Sequence, residues 1–236
     1  MTAMMAGRAS RRRGLLASAL GWLPRVILIL LGLLLLALAL YRFVPVPSTL
    51  MLGRWLTLQP VERQWVPLEQ ISPALIRAVI AAEDQRFCSH GGVDWVELNA
   101  VLDDEDGPSR GASTLTMQTA KNVFLWPGRS YIRKGMEIPL AMAIDLAWPK
   151  QRVIEVYLNV AEWGDGRYGA EAAAQRYFGK PAARLTPAEA ARLAGALPNP
   201  ILRDPAKPSR ALQSASGRIQ RRVGQLGPLG DCAVPG

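Results

Sequence analysis

From Val26 to Leu40 every residue is apolar or glycine, and apolar character reaches back through Leu15 to Leu23 with interruptions at Ser18 and Pro24-Arg25. A bilayer needs about 20 such residues in helical form, so residues 26–44 are read as one membrane-spanning helix whose apolar character begins near residue 15. A cleaved signal peptide is the competing reading, because Ala37-Leu38-Ala39 offers small residues in an A-x-A arrangement; the length of the apolar run favours an uncleaved anchor. Beyond Pro45-Val46-Pro47, which biases the chain towards an extended linker, the period changes. Residues 50–68 read as irregular or briefly extended. Ser72-Pro73 then supplies a cap and a proline at the first helical position, ahead of a stripe of Leu75, Ile76, Val79 and Ile80.

Helical spacing recurs over 113–125, over 132–148 with Pro139 inside as an expected kink, over 152–158 and over 170–178 with Gly179 as its stop. Thr186-Pro187-Ala188-Glu189 is a capping box opening a helix that should end before Pro198. Few segments alternate as strands do, so the fold class is mainly α. Residues 103–111 are acidic and then rich in Gly, Pro and Ser, and read as a loop. The organisation expected is a basic cytoplasmic tail over 1–25, the transmembrane anchor over 26–44, and a linker and entry segment over 45–65. A catalytic domain over 66–200 and a basic C-terminal tail over 201–236 complete it.

The formal charge of +9 sharpens this layout. Arg8, Arg11, Arg12, Arg13, Arg25 and Arg42 fall in the first 45 residues with no acid, leaving 22 basic against 19 acidic residues downstream. A duplex-DNA binder would carry its excess on the folded domain, so nucleic acid is excluded as a partner. The positive-inside rule instead orients the chain N-in, C-out. Cys88 and Cys232 are the only cysteines and His90 the only histidine. No metal-ligand spacing results, and pairing of two such distant cysteines is left open.

Sugar transfer from a phosphate leaving group needs a base for the attacking hydroxyl and cations for the departing charge. Glu83 supplies a candidate base; Lys121, Arg133 and Lys134 supply cations, with Glu137 one turn after Arg133. Each alone reads equally as a solvated helix face. Taken together, the segments fall into five ordered motifs between about Val66 and Pro200: Glu83-Asp84-Gln85-Arg86-Phe87 with His90, Gly91 and Asp94; Gly111 to Gln118 with Lys121-Asn122; Arg133 to Glu137; Lys150 through Tyr157-Leu158-Asn159 to Gly164; and Glu189-Ala190-Ala191 through Leu193-Ala194 to Pro200. In this order they resemble the family-51 glycosyltransferases, most closely the monofunctional members that build peptidoglycan.

The resemblance implies a lysozyme-like helical domain with two lobes about a cleft and a hydrophobic edge entering the membrane. It implies that Glu83 deprotonates the GlcNAc 4-hydroxyl of an acceptor lipid II, and that the anomeric centre of an undecaprenyl-pyrophosphate-linked strand inverts. Lys121, Arg133 and Lys134 would hold the diphosphate, Glu137 would be the second catalytic carboxylate, and Asp84, Phe87, Ser113, Thr114, Gln118 and Asn122 would contact substrate. A divalent cation, Mg or Mn, at the diphosphate is a cofactor seen in some members. Membrane lipids and cell-division or wall-synthesis proteins are the implied partners, at the periplasmic face of an inner membrane.

Three departures stand out. Met117 replaces a frequent glutamine, Cys88 adjoins the catalytic segment where oxidation could block the cleft, and Pro139 puts the direction of Glu137 in question. A lytic or hydrolytic enzyme and a non-catalytic wall scaffold are the competing functions. A fused peptide cross-linking activity is excluded, since no Ser-x-x-Lys, Ser-x-Asn and Lys-Thr-Gly set is present.

Overall fold

The computed structural model describes residues 2–103, 111–128 and 130–235; for residues 2–21 and 102 only the backbone is described. Most of the loop read at 103–111 therefore lies outside the described residues. The chain divides into an N-terminal unit ending at Val44 and a second unit beginning at Pro45. The first is the helix α1 (Thr2–Tyr41), whose Trp22–Tyr41 stretch is long and apolar enough to cross a membrane. From Val26 to Leu31 its side chains are exposed, as a lipid-facing helix requires and a soluble one does not.

The second unit is mainly helical: α2 (Thr49–Leu56), α3 (Pro73–Glu83), α4 (Trp95–Leu102), α5 (Leu115–Phe124), α6 (Tyr131–Ala147), α7 (Lys150–Val160), α8 (Ala170–Phe178), α9 (Pro187–Ala196) and α10 (Arg210–Leu226). Three short strands, β1 (Glu62–Arg63), β2 (Glu162–Gly164) and β3 (Arg167–Tyr168), form one sheet in the order β1-β3-β2, with β1 parallel and β2 antiparallel to β3. The segment read as irregular contains α2 instead. Ser48 caps it, its Oγ accepting from Met51 N at 3.2 Å, and Met51 is its one fully buried residue. Its apolar residues Leu50, Met51, Leu52, Trp55 and Leu56 do not sort to one buried face, since Leu52, Trp55 and Leu56 are exposed, so no amphipathic period marked it.

Helix α3 is the spine of the site. Its stripe of Leu75, Ile76, Val79 and Ile80 is wholly buried against α9 and α10, each side chain worth about 1.5–3 kcal/mol in area removed from water. Ser72 fixes the start: its Oγ accepts from Ala74 N and donates to Leu185 O at 2.9 Å. At the other end Asp84 leaves helical geometry at φ −161°, so Glu83 is the last helical residue. On the opposite side α5 packs on α6 and α7. Gly92 locks that arrangement: its φ is +81°, and a Cβ there would lie 2.5 Å from Ala141 O of α6, while its own carbonyl accepts from Thr114 Oγ at 2.6 Å. Helix α6 runs through Pro139 without a break. Asn159 ties α7 to the entry segment, exchanging two hydrogen bonds with the backbone of Val66.

Residues 201–235, within the segment read as a basic tail, are folded. Helix α10 buries Leu212, Ser216, Ile219 and Leu226 against α9 and α3, and leaves Arg210 and Arg221 exposed, as an amphipathic helix does. Cys88 and Cys232, 144 residues apart, form a disulfide joining the turns Phe87–Ser89 and Gly227–Ala233, beside an Arg77–Asp231 ion pair at 2.6 Å. The segment directly after Glu83 is thus tied to the end of the chain. We expect Cys232→Ser to lower unfolding stability by about 2–4 kcal/mol; an unchanged urea midpoint relative to the oxidised protein would contradict a structural role for the bond.

Candidate active site

Between α3, α5 and α6 lies a cavity of ≈ 660 Å³ whose wall includes Glu83, Ser113, Gln118, Lys121, Lys134 and Glu137. Each side chain arrives by a local rule. Glu83 is delivered by the C-terminal end of α3. Thr114 starts α5, its Oγ accepting from Met117 N at 3.1 Å, so Gln118 and Lys121, three residues apart, share the face towards the cleft. Arg133, Lys134 and Glu137 lie within one turn of α6, near its start.

Glu83 is held by one oxygen. Gln118 Nε2 donates to its Oε2 at 2.9 Å, and Tyr157, inside the core, donates from its hydroxyl to Gln118 Oε1 at 3.2 Å. That chain fixes which way the glutamine amide faces and leaves Glu83 Oε1 without a hydrogen bond among the described residues. Burial raises the Glu83 pKa, while the Gln118 amide and the charge of Lys121 oppose the rise and Asp84 adds to it. Burial likewise lowers the Lys121 pKa, with Glu137 and Glu83 opposing it and Arg133 and Lys134 reinforcing it. Lys121 makes no side-chain hydrogen bond or close ion pair among the described residues; an anion entering the cleft would meet a cation with nothing to give up.

Glu137 is differently placed. It is buried, Arg133 Nη1 donates to its Oε1, and Lys134 Nζ to its Oε2 at 2.7 Å. Arg133 Nε also donates to Gly128 O at 2.9 Å and Lys134 Nζ to Ser113 Oγ at 2.6 Å. The direction left in question by Pro139 is therefore towards its two cations. Proline removes the bond to the Gly135 carbonyl on the outer side of α6, where Gly135 is exposed and water can replace it. Glu137 orients the two cations and offsets part of their charge.

The structure does not bring every sequence-derived residue to the cavity as a contact. Phe87 is fully buried in the core, under Lys150 Nζ 4.8 Å from its ring centre; this aromatic, three positions past the buried Asp84, is packed, not presented. Asn122 is not on the cavity wall, because the next residue along a helix from Lys121 points about 100° away, and its carbonyl accepts instead from Thr49 Oγ at 3.3 Å. The Asp84 carboxylate is spent on structure, accepting from Leu115 N at 2.9 Å and meeting His90 Nε2 at 2.9 and 3.0 Å. It sets the spacing of α3 and α5, and hence of Glu83 and Gln118. Thr114 lies on the wall, but its hydroxyl is committed to the cap of α5 and to Gly92. Cys88 is in the disulfide rather than free beside the cleft. Sequence reasoning missed Arg222, which also lines the cavity and lay in the presumed tail.

The described carboxylates do not form a cage for a divalent cation. Glu137 is engaged by two cations, Asp84 by His90 and a backbone amide, and Glu83 keeps one oxygen free, so an Mg²⁺ or Mn²⁺ ion here would draw most of its ligands from substrate phosphate and water.

A helical domain whose cleft sets one partly free carboxylate against Lys121, Arg133 and Lys134 has the makings of one class: enzymes acting on anionic substrates. The chain belongs to the transglycosylase family, which it matches over residues 51–224. It is 53% identical over 209 residues, 88% of this chain and 93% of the relative, to a biosynthetic peptidoglycan transglycosylase of Brucella suis biovar 1. A protein of the same name from Agrobacterium fabrum is 52% identical over 217 residues, 89% and 96% of the two chains. One from Rhodopseudomonas palustris (strain HaA2) is 56% identical over 180 residues, 75% and 79%.

Were Glu83 the base, which works only when ionised, its raised pKa would have a measurable consequence. Sugar transfer should fall as pH drops through a midpoint above the carboxylate's ordinary 4.5. A rate profile flat down to pH 4.5, or one whose acid limb survives in Glu83→Gln, would rule Glu83 out as the titrating group.

Proposed function

We infer that this protein is a peptidoglycan glycosyltransferase that polymerises lipid II into glycan strands. The carrying observation is the convergence, on one cleft, of the open Oε1 of Glu83 with Lys121, Arg133 and Lys134. Glu83 takes the proton of the acceptor's GlcNAc 4-hydroxyl, and that oxygen attacks the anomeric carbon of the lipid-linked donor strand from the face opposite the leaving group. The bond to the diphosphate breaks and its electron pair leaves on the diphosphate oxygen, so configuration inverts. Negative charge grows on that oxygen during the step, where pre-positioned cations in a partly dry cleft gain most. Lys121, with no competing partner, gains more than Arg133 and Lys134, which Glu137 already compensates.

The apolar helix over Trp22–Tyr41 and the N-terminal arginines support a single-pass anchor in the inner membrane, with the catalytic unit on the periplasmic side. The outer face of α6 supports contact with lipid: Tyr131, Ile132 and Leu146 are 99%, 75% and 91% exposed, an apolar surface that water alone would not favour. A glycan hydrolase would need a protonated acid and, in the usual design, a second free carboxylate. Glu137 is not free, and three cations would have no task. Purified full-length protein should lengthen lipid II into strands and leave finished glycan intact; shortening of finished glycan would establish the lytic function instead, and inertness towards both would leave the scaffold.

A further inference from the structure

Tyr157 is 2% exposed, and the chemistry inferred above gives its hydroxyl no task. That hydroxyl is the inner end of a relay across three helices. Tyr157 on α7 donates to Gln118 Oε1 on α5 at 3.2 Å, and Gln118 Nε2 donates to Glu83 Oε2 at the end of α3 at 2.9 Å. Each helix is pinned close to the relay. Asp84 ties α3 to the first residue of α5 through Leu115 N. At the two ends of α7, Lys150 Nζ donates to His90 O at 2.7 Å and Asn159 exchanges hydrogen bonds with Val66. The backbones that carry the three side chains are thus fixed, and the freedom left to the relay is the direction of the Gln118 amide.

A carboxamide has one accepting and one donating end of nearly the same shape. Turned about, Gln118 would set Oε1 against Glu83 Oε2 and Nε2 against the Tyr157 oxygen. The first contact is repulsive when Glu83 is ionised and becomes a hydrogen bond only when Glu83 is protonated. The second would leave the Tyr157 proton without an acceptor, because Gln118 Oε1 is the one hydrogen-bond partner of that hydroxyl among the described residues, and an unmet donor in the core is costly. Burial and the nearby charge of Glu83 push the Tyr157 pKa well above its ordinary value. The proton therefore stays on the oxygen through neutral and mildly alkaline pH.

We propose that Tyr157 is a positioning residue for the transfer step: by fixing the Gln118 amide, its hydroxyl keeps a hydrogen-bond donor on Glu83 Oε2 and leaves Oε1 free to receive the acceptor's proton. This rests on Glu83 acting as the base of the function inferred above. Of the charges around Glu83, Asp84 beside it and Lys121 on α5 act on it most directly. Arg86 with its partner Asp94, Glu97 on α4, Glu137 with its two cations on α6, and Arg203, Arg218 and Arg222 towards α9 and α10 line the cavities it borders. All of them stay in place when the tyrosine hydroxyl is removed, so a change in Glu83 ionisation on its removal is assigned to the amide.

The test compares the full-length parent, Tyr157→Phe and a protein carrying meta-fluorotyrosine at position 157, all in detergent micelles. One readout is the titration of the Glu83 carboxyl by isotope-edited NMR, its signal assigned by its absence from Glu83→Gln; the other is the pH dependence of strand extension from lipid II. In Tyr157→Phe the amide is released, and both midpoints should rise by about half to one pH unit. One unit below the parent's midpoint, extension should then be slower by about three- to tenfold, recovering to within about threefold of the parent on the alkaline plateau. The fluorinated ring keeps the hydroxyl as a stronger donor and should lower the carboxyl midpoint, which tests the relay even where the phenylalanine variant does not fold. A carboxyl midpoint unmoved or lowered in Tyr157→Phe, or unmoved or raised by the fluorinated ring, overturns the proposal. So does a loss of extension by the same factor at every pH, the mark of a merely structural tyrosine. Midpoints that move as stated in a parent that extends strands at no pH would uphold the relay and overturn the function inferred above.

Discussion

Glu137→Leu should unfold more easily than the parent by about 3–5 kcal/mol and lose polymerisation. The reason lies in what the substitution leaves behind. Arg133 and Glu137 are 9% and 3% exposed, and removing the carboxylate strands a buried guanidinium with only Gly128 O as an acceptor. Lys134, half exposed, can turn to water, so the cost falls mainly on Arg133. Glu137→Gln retains one acceptor and should lose less. Urea unfolding of the three proteins, alongside strand synthesis, checks this order; a Glu137→Leu protein as stable as the parent would mean that the pair contributes little and that Arg133 finds another partner.

Glu83→Gln should behave in the opposite sense on stability while removing activity. Amide for carboxyl is nearly isosteric and leaves an oxygen for Gln118 Nε2, so the fold has no reason to change. Polymerisation should fall by about 10²–10⁴-fold, the range of a lost general base. Stability should rise near neutral pH. With its folded pKa raised by burial, the carboxyl's contribution is fully present below its unfolded value and is lost as pH rises through the folded one. Above that window the parent carries an ionised, partly desolvated group that the amide variant lacks. A stability advantage of the variant over the parent that shrinks between pH 4 and pH 7, instead of growing, would show the reverse sign and refute a raised pKa.

The sequence makes most of this fold legible because long elements carry their own signals. The Ser72-Pro73 start, the Thr186 capping box and the Gly179 stop each specify a boundary by backbone chemistry, and the structure begins or ends helices there. What stayed hidden depends on contacts distant in sequence. Helix α2 is held by one buried methionine, and α10 looks like a charged tail until α3 and α9 supply a surface for Leu212 and Ile219. Pairing of Cys88 with Cys232 requires that surface first. The same limit applies at the cleft. Gln118 and Lys121 share a helix face that spacing reveals, whereas the roles of Asp84 and Phe87 depend on burial, which no motif states. Arg222 reaches Glu83 only through the packing of α10.

The role of Glu83 is decided by strand length after incubation with lipid II, measured side by side for the parent and for folded Glu83→Gln. The parent should yield extended glycan and the variant should leave lipid II unreacted. Strands of equal length formed at equal rates by both proteins would contradict that role.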